Sequence, residues 1–185
     1  MADLDYSRDK LHAFVFIEHV PDDDTPAELA RRLYGLPQVR FASDAVGPYL
    51  AFAHLELDDG DDLGGLQDLI SNELWNAGVH CKYCTEVGTY RVGAKRSTPD
   101  IIGLVSIVVQ AGALDAVIEA FDELDVVKGA SILTGDFDIL AQVNGDTVDE
   151  VLGKIMRLQG VRGIVHTSTA LMDGRRAQAA SRKRA

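Results

Sequence analysis

Leu36-Pro37-Gln38-Val39-Arg40-Phe41-Ala42-Ser43 and Leu124-Asp125-Val126-Val127-Lys128-Gly129-Ala130-Ser131 decide the fold of this chain, because the second stretch repeats the first. At an offset of 88 residues, Leu, Val, a basic residue, Ala and Ser coincide. Without a gap, Gly47-Pro48-Tyr49 then falls on Gly135-Asp136-Phe137, a glycine followed two residues later by an aromatic. Further on, Gly78-Val79 matches Gly160-Val161 and Thr85 falls on Thr167, now at an offset of 82. The chain is a duplicated module in which one helix-containing segment has changed length.

Both copies show the same order of periodicities. In the second, Ile101 to Val109 is a β-branched apolar run too short for most helices, which predicts a strand. Leu114, Val117, Ile118, Phe121 and Leu124 recur at helical spacing. Val127 to Leu133 and Phe137 to Val143 are strand-like and joined through Thr134-Gly135-Asp136, a hairpin signal. Thr147-Val148-Asp149-Glu150 is a capping box, continued by Val151, Leu152, Ile155 and Met156 as a second helix that Gly160 stops. Val161 to Leu171 is the last strand. In the first copy, Ala13 to Ile17 predicts a strand and Thr25-Pro26-Ala27-Glu28 caps a helix. Val39 to Val46 and Tyr49 to Leu57 form a hairpin, Leu66, Leu69, Ile70 and Leu74 line a helix, and Val79 to Val87 closes the copy.

The expected class is therefore α+β: two ferredoxin-like β-α-β-β-α-β modules at 11–92 and 99–173, followed by a basic tail at 174–185. Gly93 to Pro99 has linker composition. The first strands, Ala13 to Ile17 and Leu104 to Val109, are apolar on nearly every residue, where a strand with one wet face would alternate. Both sheet faces should be buried, one under helices and one under a second sheet. The expectation is a covalent pseudo-dimer of the dimeric α+β-barrel type.

Composition narrows the function. The 185 residues are 46% hydrophobic and 25% charged, the mixture of a soluble globular protein. No apolar run reaches the length of a membrane span and no signal peptide is legible, so a cytoplasmic protein is expected. The net charge of −11 argues against a folded surface built for nucleic-acid phosphates. Arg175, Arg176, Arg182, Lys183 and Arg184 concentrate positive charge in an acid-free, disordered-looking tail. Asp22-Asp23-Asp24 and Asp58-Asp59-Gly60-Asp61-Asp62 lead into helices, where negative charge suits the dipole, and their spacing fits no EF-hand loop.

Residues 100–173 resemble the effector-binding RAM domain of the Lrp/AsnC, or feast/famine, regulators. The resemblance is carried by the β-α-β pattern, the Gly135-Asp136-Phe137-Asp138 turn, and Gly160-Val161 followed by His166-Thr167-Ser168-Thr169. Two departures stand out. Only ten residues precede the first strand, too few for the helix-turn-helix of family regulators, and the first copy has Gly47-Pro48-Tyr49-Leu50 in place of the acidic turn. The resemblance implies a small-molecule effector, an amino acid or similar, bound near Ser131, Thr134, Gly135, Asp136, Asp138 and Thr167. It also implies an even-numbered homo-oligomer, co-assembly with full-length regulators, and no cofactor or metal. The plainer reading of the turn is a tight turn with Asp138 capping backbone groups.

The main expectation is thus a non-enzymatic sensing or assembly module acting through ligand-linked oligomerisation in transcription regulation, without DNA binding of its own. The rival is an α+β-barrel enzyme, a cofactor-independent monooxygenase or a haem protein, using His54, His166 and Tyr83 inside its cavity. His80-Cys81-Lys82-Tyr83-Cys84 is a weak metal motif, since thiols three apart on a strand point to opposite faces. Trp75, just beyond the apolar positions of its helix, is read as packing.

Overall fold

The computed structural model describes residues 4–5, 10–57, 63–91 and 99–175. The acidic run at 58–62, most of the linker, and the tail from 176 onward lie outside the described residues. The elements run β1 (Leu4–Asp5), β2 (Leu11–His19), α1 (Pro26–Tyr34), β3 (Val39–Asp44), β4 (Ala51–Leu57), α2 (Leu63–Glu73) and β5 (His80–Arg91). They continue through β6 (Ile101–Val109), α3 (Leu114–Leu124), β7 (Val127–Thr134), β8 (Ile139–Gly145), α4 (Val148–Gln159) and β9 (Ile164–Asp173). The class is α+β, with the β-α-β-β-α-β order present twice.

The chain divides into two compact units, Arg8–Thr85 and Glu86–Arg175, with β1 belonging to the second. The division falls inside the 12-residue β5: its first half pairs with β2 and its second half with β1. In the first unit the strand order is β3-β4-β2-β5, and the pairings of β2 with β4 and β5 and of β3 with β4 are antiparallel. In the second it is β5-β7-β8-β6-β9. No helix among the described residues is long and apolar enough to cross a membrane.

The first core joins Ala13, Val15 and Ile17 of β2 and Leu55 and Leu57 of β4 to Leu29 and Leu33 of α1 and Leu66 and Ile70 of α2. The second joins Val105 and Ile107 of β6 to Phe121 of α3 and to Val151, Ile155 and Leu158 of α4. Each side chain of this size contributes roughly 1.5–3 kcal/mol by leaving water. Both capping boxes form. The Thr25 hydroxyl accepts from the Glu28 amide at 3.2 Å and donates to its carboxylate at 2.7 Å. The Thr147 hydroxyl accepts from the Glu150 amide at 3.2 Å, while the Asp146 amide donates to the Glu150 carboxylate at 2.9 Å.

The duplication persists at the level of single hydrogen bonds. Gly47 and Gly135 both take positive φ, 144° and 134°. In the first turn the Leu50 amide donates to the Ile17 carbonyl and the Ala45 amide to the Leu50 carbonyl. In the second, 88 residues on, Asp138 donates to Ile107 and Leu133 to Asp138. A register shift between Val39 and Phe41 recurs between Val127 and Gly129. The ends of the second helices are where the copies diverge. Helix α2 stops at Glu73 and a short 3-10 turn follows at Trp75–Ala77, whereas α4 continues to Gln159. Trp75 stands in that turn, 44% exposed and hydrogen-bonded to Cys81.

Candidate functional site

Alternation along β2 and β4 sorts the first unit's side chains onto two faces. Ala13, Val15 and Ile17 meet the helices, so His12, Phe14 and Phe16 lie on the other face, and Phe52, His54 and Glu56 join them from β4. Phe14 pairs with His54 in register and His12 with Glu56, which makes His12 and His54 diagonal neighbours. Their rings meet: His12 Nδ1 lies 2.9 Å from His54 Nε2, and the ring centroids are 5.2 Å apart. Phe14 stacks on His54 at 4.7 Å and on Phe52 at 5.8 Å, and Phe16 meets Phe52 edge-on at 5.4 Å. The phenyl rings are buried and both histidines half-buried.

An imidazole pair at this separation shares one hydrogen bond, so one nitrogen donates and the other accepts. Charge stands beside it. The Glu56 carboxylate accepts from Arg40 at 2.5 Å and from Lys10 at 2.8 Å. The bond from Arg40, helped by Lys10 and opposed by burial, lowers its pKa from 4.5 to about 2. A carboxyl that ionises more readily in the folded than in the unfolded chain adds stability above its ordinary pKa, and that stability is lost as the pH falls through about 2. Glu56→Gln should therefore be less stable than the wild type at pH 7 by about 1 kcal/mol, the scale of part-exposed pairs. Urea titrations should show the gap closing between pH 4.5 and 2; a gap independent of pH would contradict the assignment.

The residues singled out by the hairpin motif do not converge within their unit. Thr134, Gly135 and Asp136 are exposed at the turn. The Asp138 carboxylate accepts from the Val109 amide at 2.8 Å, a backbone cap. Ser131 pairs with Leu140, which pairs with Ser106, placing it on the face away from the helices. Thr167 lies on the helix face, where its hydroxyl accepts from Gln159 of α4 at 2.9 Å. Tyr83 packs against the first unit's helix-covered core, opposite His54, and His166 is an exposed residue of the second unit. Cys81 is paired with Ile17 and Cys84 with Phe14, so the two thiols do point to opposite faces. Burial pushes the Cys81 thiol up to about 11, a hydrogen bond from Trp75 only partly offsetting it.

No family model matches the chain, and no curated protein matches it. Among solved structures, that of the siroheme decarboxylase NirDL superposes with a TM-score of 0.68 at 10% identity, over 93% of this chain and 74% of that one. The same protein in co-complex with an iron-uroporphyrin III analogue gives 0.67 at 10% identity, over 93% and 73%. A mutant chlorite dismutase from Candidatus Nitrospira defluvii in complex with cyanide gives 0.53 at 11% identity, over 93% and 95%. At these identities the likeness establishes the fold, an α+β ferredoxin-like architecture.

The comparison corrects the main expectation. These structures are those of enzymes, a siroheme decarboxylase and a chlorite dismutase, and they accord with the rival reading of a haem-related enzyme. The non-enzymatic amino-acid sensor related to transcription regulators is set aside. The turn that suggested it recurs in the first copy without its acidic residues and with the same backbone bonds, which makes the glycine, and not the acidic residues, a requirement of the hairpin.

Proposed function

We propose that the chain is an enzyme that holds an iron tetrapyrrole bearing peripheral carboxylates, with the His12–His54 face of the first unit as its binding surface. The observation that carries this reading is the imidazole pair at 2.9 Å set on stacked phenyl rings and flanked by Lys10 and Arg40. It keeps the duplicated modules as the covalent pseudo-dimer of α+β-barrel type expected from the repeat. The names of the structural neighbours, siroheme decarboxylase and chlorite dismutase, support it.

The donor set fits such a group in kind. A tetrapyrrole is a flat apolar disc rimmed by carboxylates. Lys10 and Arg40 are cations able to pair with carboxylates, an imidazole nitrogen is an iron ligand, and the buried Phe14 and Phe52 rings hold the imidazole pair in place behind it. Among the described residues there is no cluster of three or more His, Cys, Asp or Glu suited to a bare metal ion. When bound, the macrocycle supplies a redox-active or Lewis-acidic metal centre. The chain supplies the rest. Arg40 and Lys10 orient carboxylates, and the phenyl rings exclude water. The His12 Nδ1–His54 Nε2 bond fixes one proton between the two rings. Glu56, ionised and opposite His12 in register, holds Lys10 and Arg40 beside the pair.

The test is an absorbance titration of the purified chain with haemin and with iron uroporphyrin. The wild type should shift the Soret band of the polycarboxylate macrocycle with saturable, one-to-one stoichiometry. His12→Ala and His54→Ala should each weaken binding at least tenfold or change the band position, and Arg40→Gln should weaken it less. No saturable shift with either macrocycle, or identical binding by both histidine variants, would remove the proposal. Mass spectrometry of the recovered macrocycle then separates a substrate, which loses carbon dioxide, from a cofactor, which is returned unchanged.

A further inference from the structure

Apart from His12 and His54, the first unit carries a second pair of histidines, His19 at the end of β2 and His80 at the start of β5, both exposed. A bulge brings them together. Phe16 pairs with Lys82 and Ile17 with Cys81; that register, continued unbroken, would set Glu18 opposite His80. Instead the register shifts between Ile17 and His19, so His19 takes that place and the two imidazoles become direct cross-strand neighbours. Their ring centroids are 5.2 Å apart and the ring planes are inclined at 66°. His12 and His54, by contrast, spend a nitrogen each on one another at 2.9 Å. No side-chain hydrogen bond or ion pair among the described residues engages His19 or His80, and the displaced Glu18 is turned to Lys82 at 3.1 Å.

We infer that His19 and His80 form a two-point chelate for a divalent transition-metal ion of the zinc and copper class, separate from the tetrapyrrole surface. The spacing suits one ion between the rings. An ion held about 2.0–2.1 Å from one nitrogen of each imidazole, at a tetrahedral angle, sets the ring centroids roughly 5 Å apart. The donor chemistry selects the class, because imidazole suits zinc, copper and nickel, whereas calcium and magnesium take oxygen. Both residues stand on paired strands, so binding orders two side chains and leaves the backbone where it is. Among the described residues no cluster of three or more His, Cys, Asp or Glu forms, so the remaining positions on the ion stay open to water or to a donor atom of a bound molecule. The His80-Cys81-Lys82-Tyr83-Cys84 motif thus enters through its histidine and not through its thiols. Cys81 packs against the helix-covered core, and Cys84 is buried.

Isothermal titration calorimetry of the full chain, free of purification tags and stripped with chelator, reads this with zinc alone and with copper(II) alone. Each ion should bind saturably at one equivalent, copper more tightly than zinc. His19→Ala and His80→Ala should each weaken zinc at least tenfold, with the metal-free melting curve of the wild type because both side chains are exposed. His54→Ala, Cys81→Ser and His166→Ala, the last removing an exposed histidine of the second unit, should bind zinc as the wild type does. Electron paramagnetic resonance of the copper-loaded chain should show coupling to two imidazole nitrogens, and to one in either variant of the pair. His19→Ala should still take up iron uroporphyrin as the wild type does, so the chelate and the tetrapyrrole surface stand or fall separately. No saturable heat with either ion up to millimolar concentration would overturn the inference. So would zinc binding by His19→Ala or His80→Ala as tight as that of the wild type, or its loss in His54→Ala.

Discussion

Phe121→Ala should remove about 3–5 kcal/mol of stability, the range for truncating a fully buried phenylalanine. Phe121 is 0% exposed and sits on the buried stripe of α3 with Val117 and Ile118. Its ring lies 6.2 Å from that of Tyr90, a residue of β5 that is itself 1% exposed. Tyr90 cannot swing into the space left behind, because its hydroxyl is tied to the Asp122 carboxylate. Burial, reinforced by that bond, raises the phenol well above its ordinary pKa, so the phenol keeps the proton it donates as the pH rises. The cavity therefore stays open. Urea denaturation followed by circular dichroism should place Phe121→Leu within about 1.5 kcal/mol of the wild type and Phe121→Ala far below both. Equal losses for the two would mean that the site collapses around the shorter side chain.

Gly163→Val should cost about 2–4 kcal/mol through strain and overpacking together. Gly163 links α4 to β9 with φ of +99°, a conformation that L side chains rarely adopt. A Cβ there would stand 2.9 Å from the Ala113 Cβ and 3.2 Å from Val117 Cγ2. The backbone cannot retreat freely, since the Gly163 carbonyl accepts from the Gln110 amide at 2.7 Å. Gly112 separates the two costs. It also has positive φ, +79°, but a Cβ on it would meet nothing within 4 Å. Gly112→Ala should therefore lose only the conformational part, about 1 kcal/mol. Denaturation midpoints that rank Gly163→Val no worse than Gly112→Ala would show that the helix start yields to the intruding side chain.

The elements that were legible in the sequence are those set by local chemistry. Thr25 and Thr147 announce their helices because a hydroxyl three residues before a glutamate satisfies an amide that would otherwise lack a partner. Gly47 and Gly135 announce their turns because both backbones need positive φ, and the 88-residue offset carries that need from one copy to the other. The candidate site depends on register, which no local rule fixes. His54 drew notice as a strand histidine, but His12 did not, because the two are 42 residues apart and meet only once Leu11 is set against Leu57. A signal was present in the alternation His12, Phe14, Phe16 against Phe52, His54, which puts five aromatic rings on one face. Ser131 and Thr167 stood out as polar residues near family motifs, and only the register shows that strand parity puts them on opposite faces of one sheet.

Strand β5 also bears on where such a chain could be cut. By sequence, the first repeat ends after this strand, yet its last six residues, Glu86 to Arg91, count with the second unit, and Tyr90 lies in the second core. The copying unit and the folding unit are thus cut at different places. A fragment cut at the end of the first repeat would carry Tyr90 away from the second core, and one cut at the end of the first unit would lose the second half of the repeat's last strand.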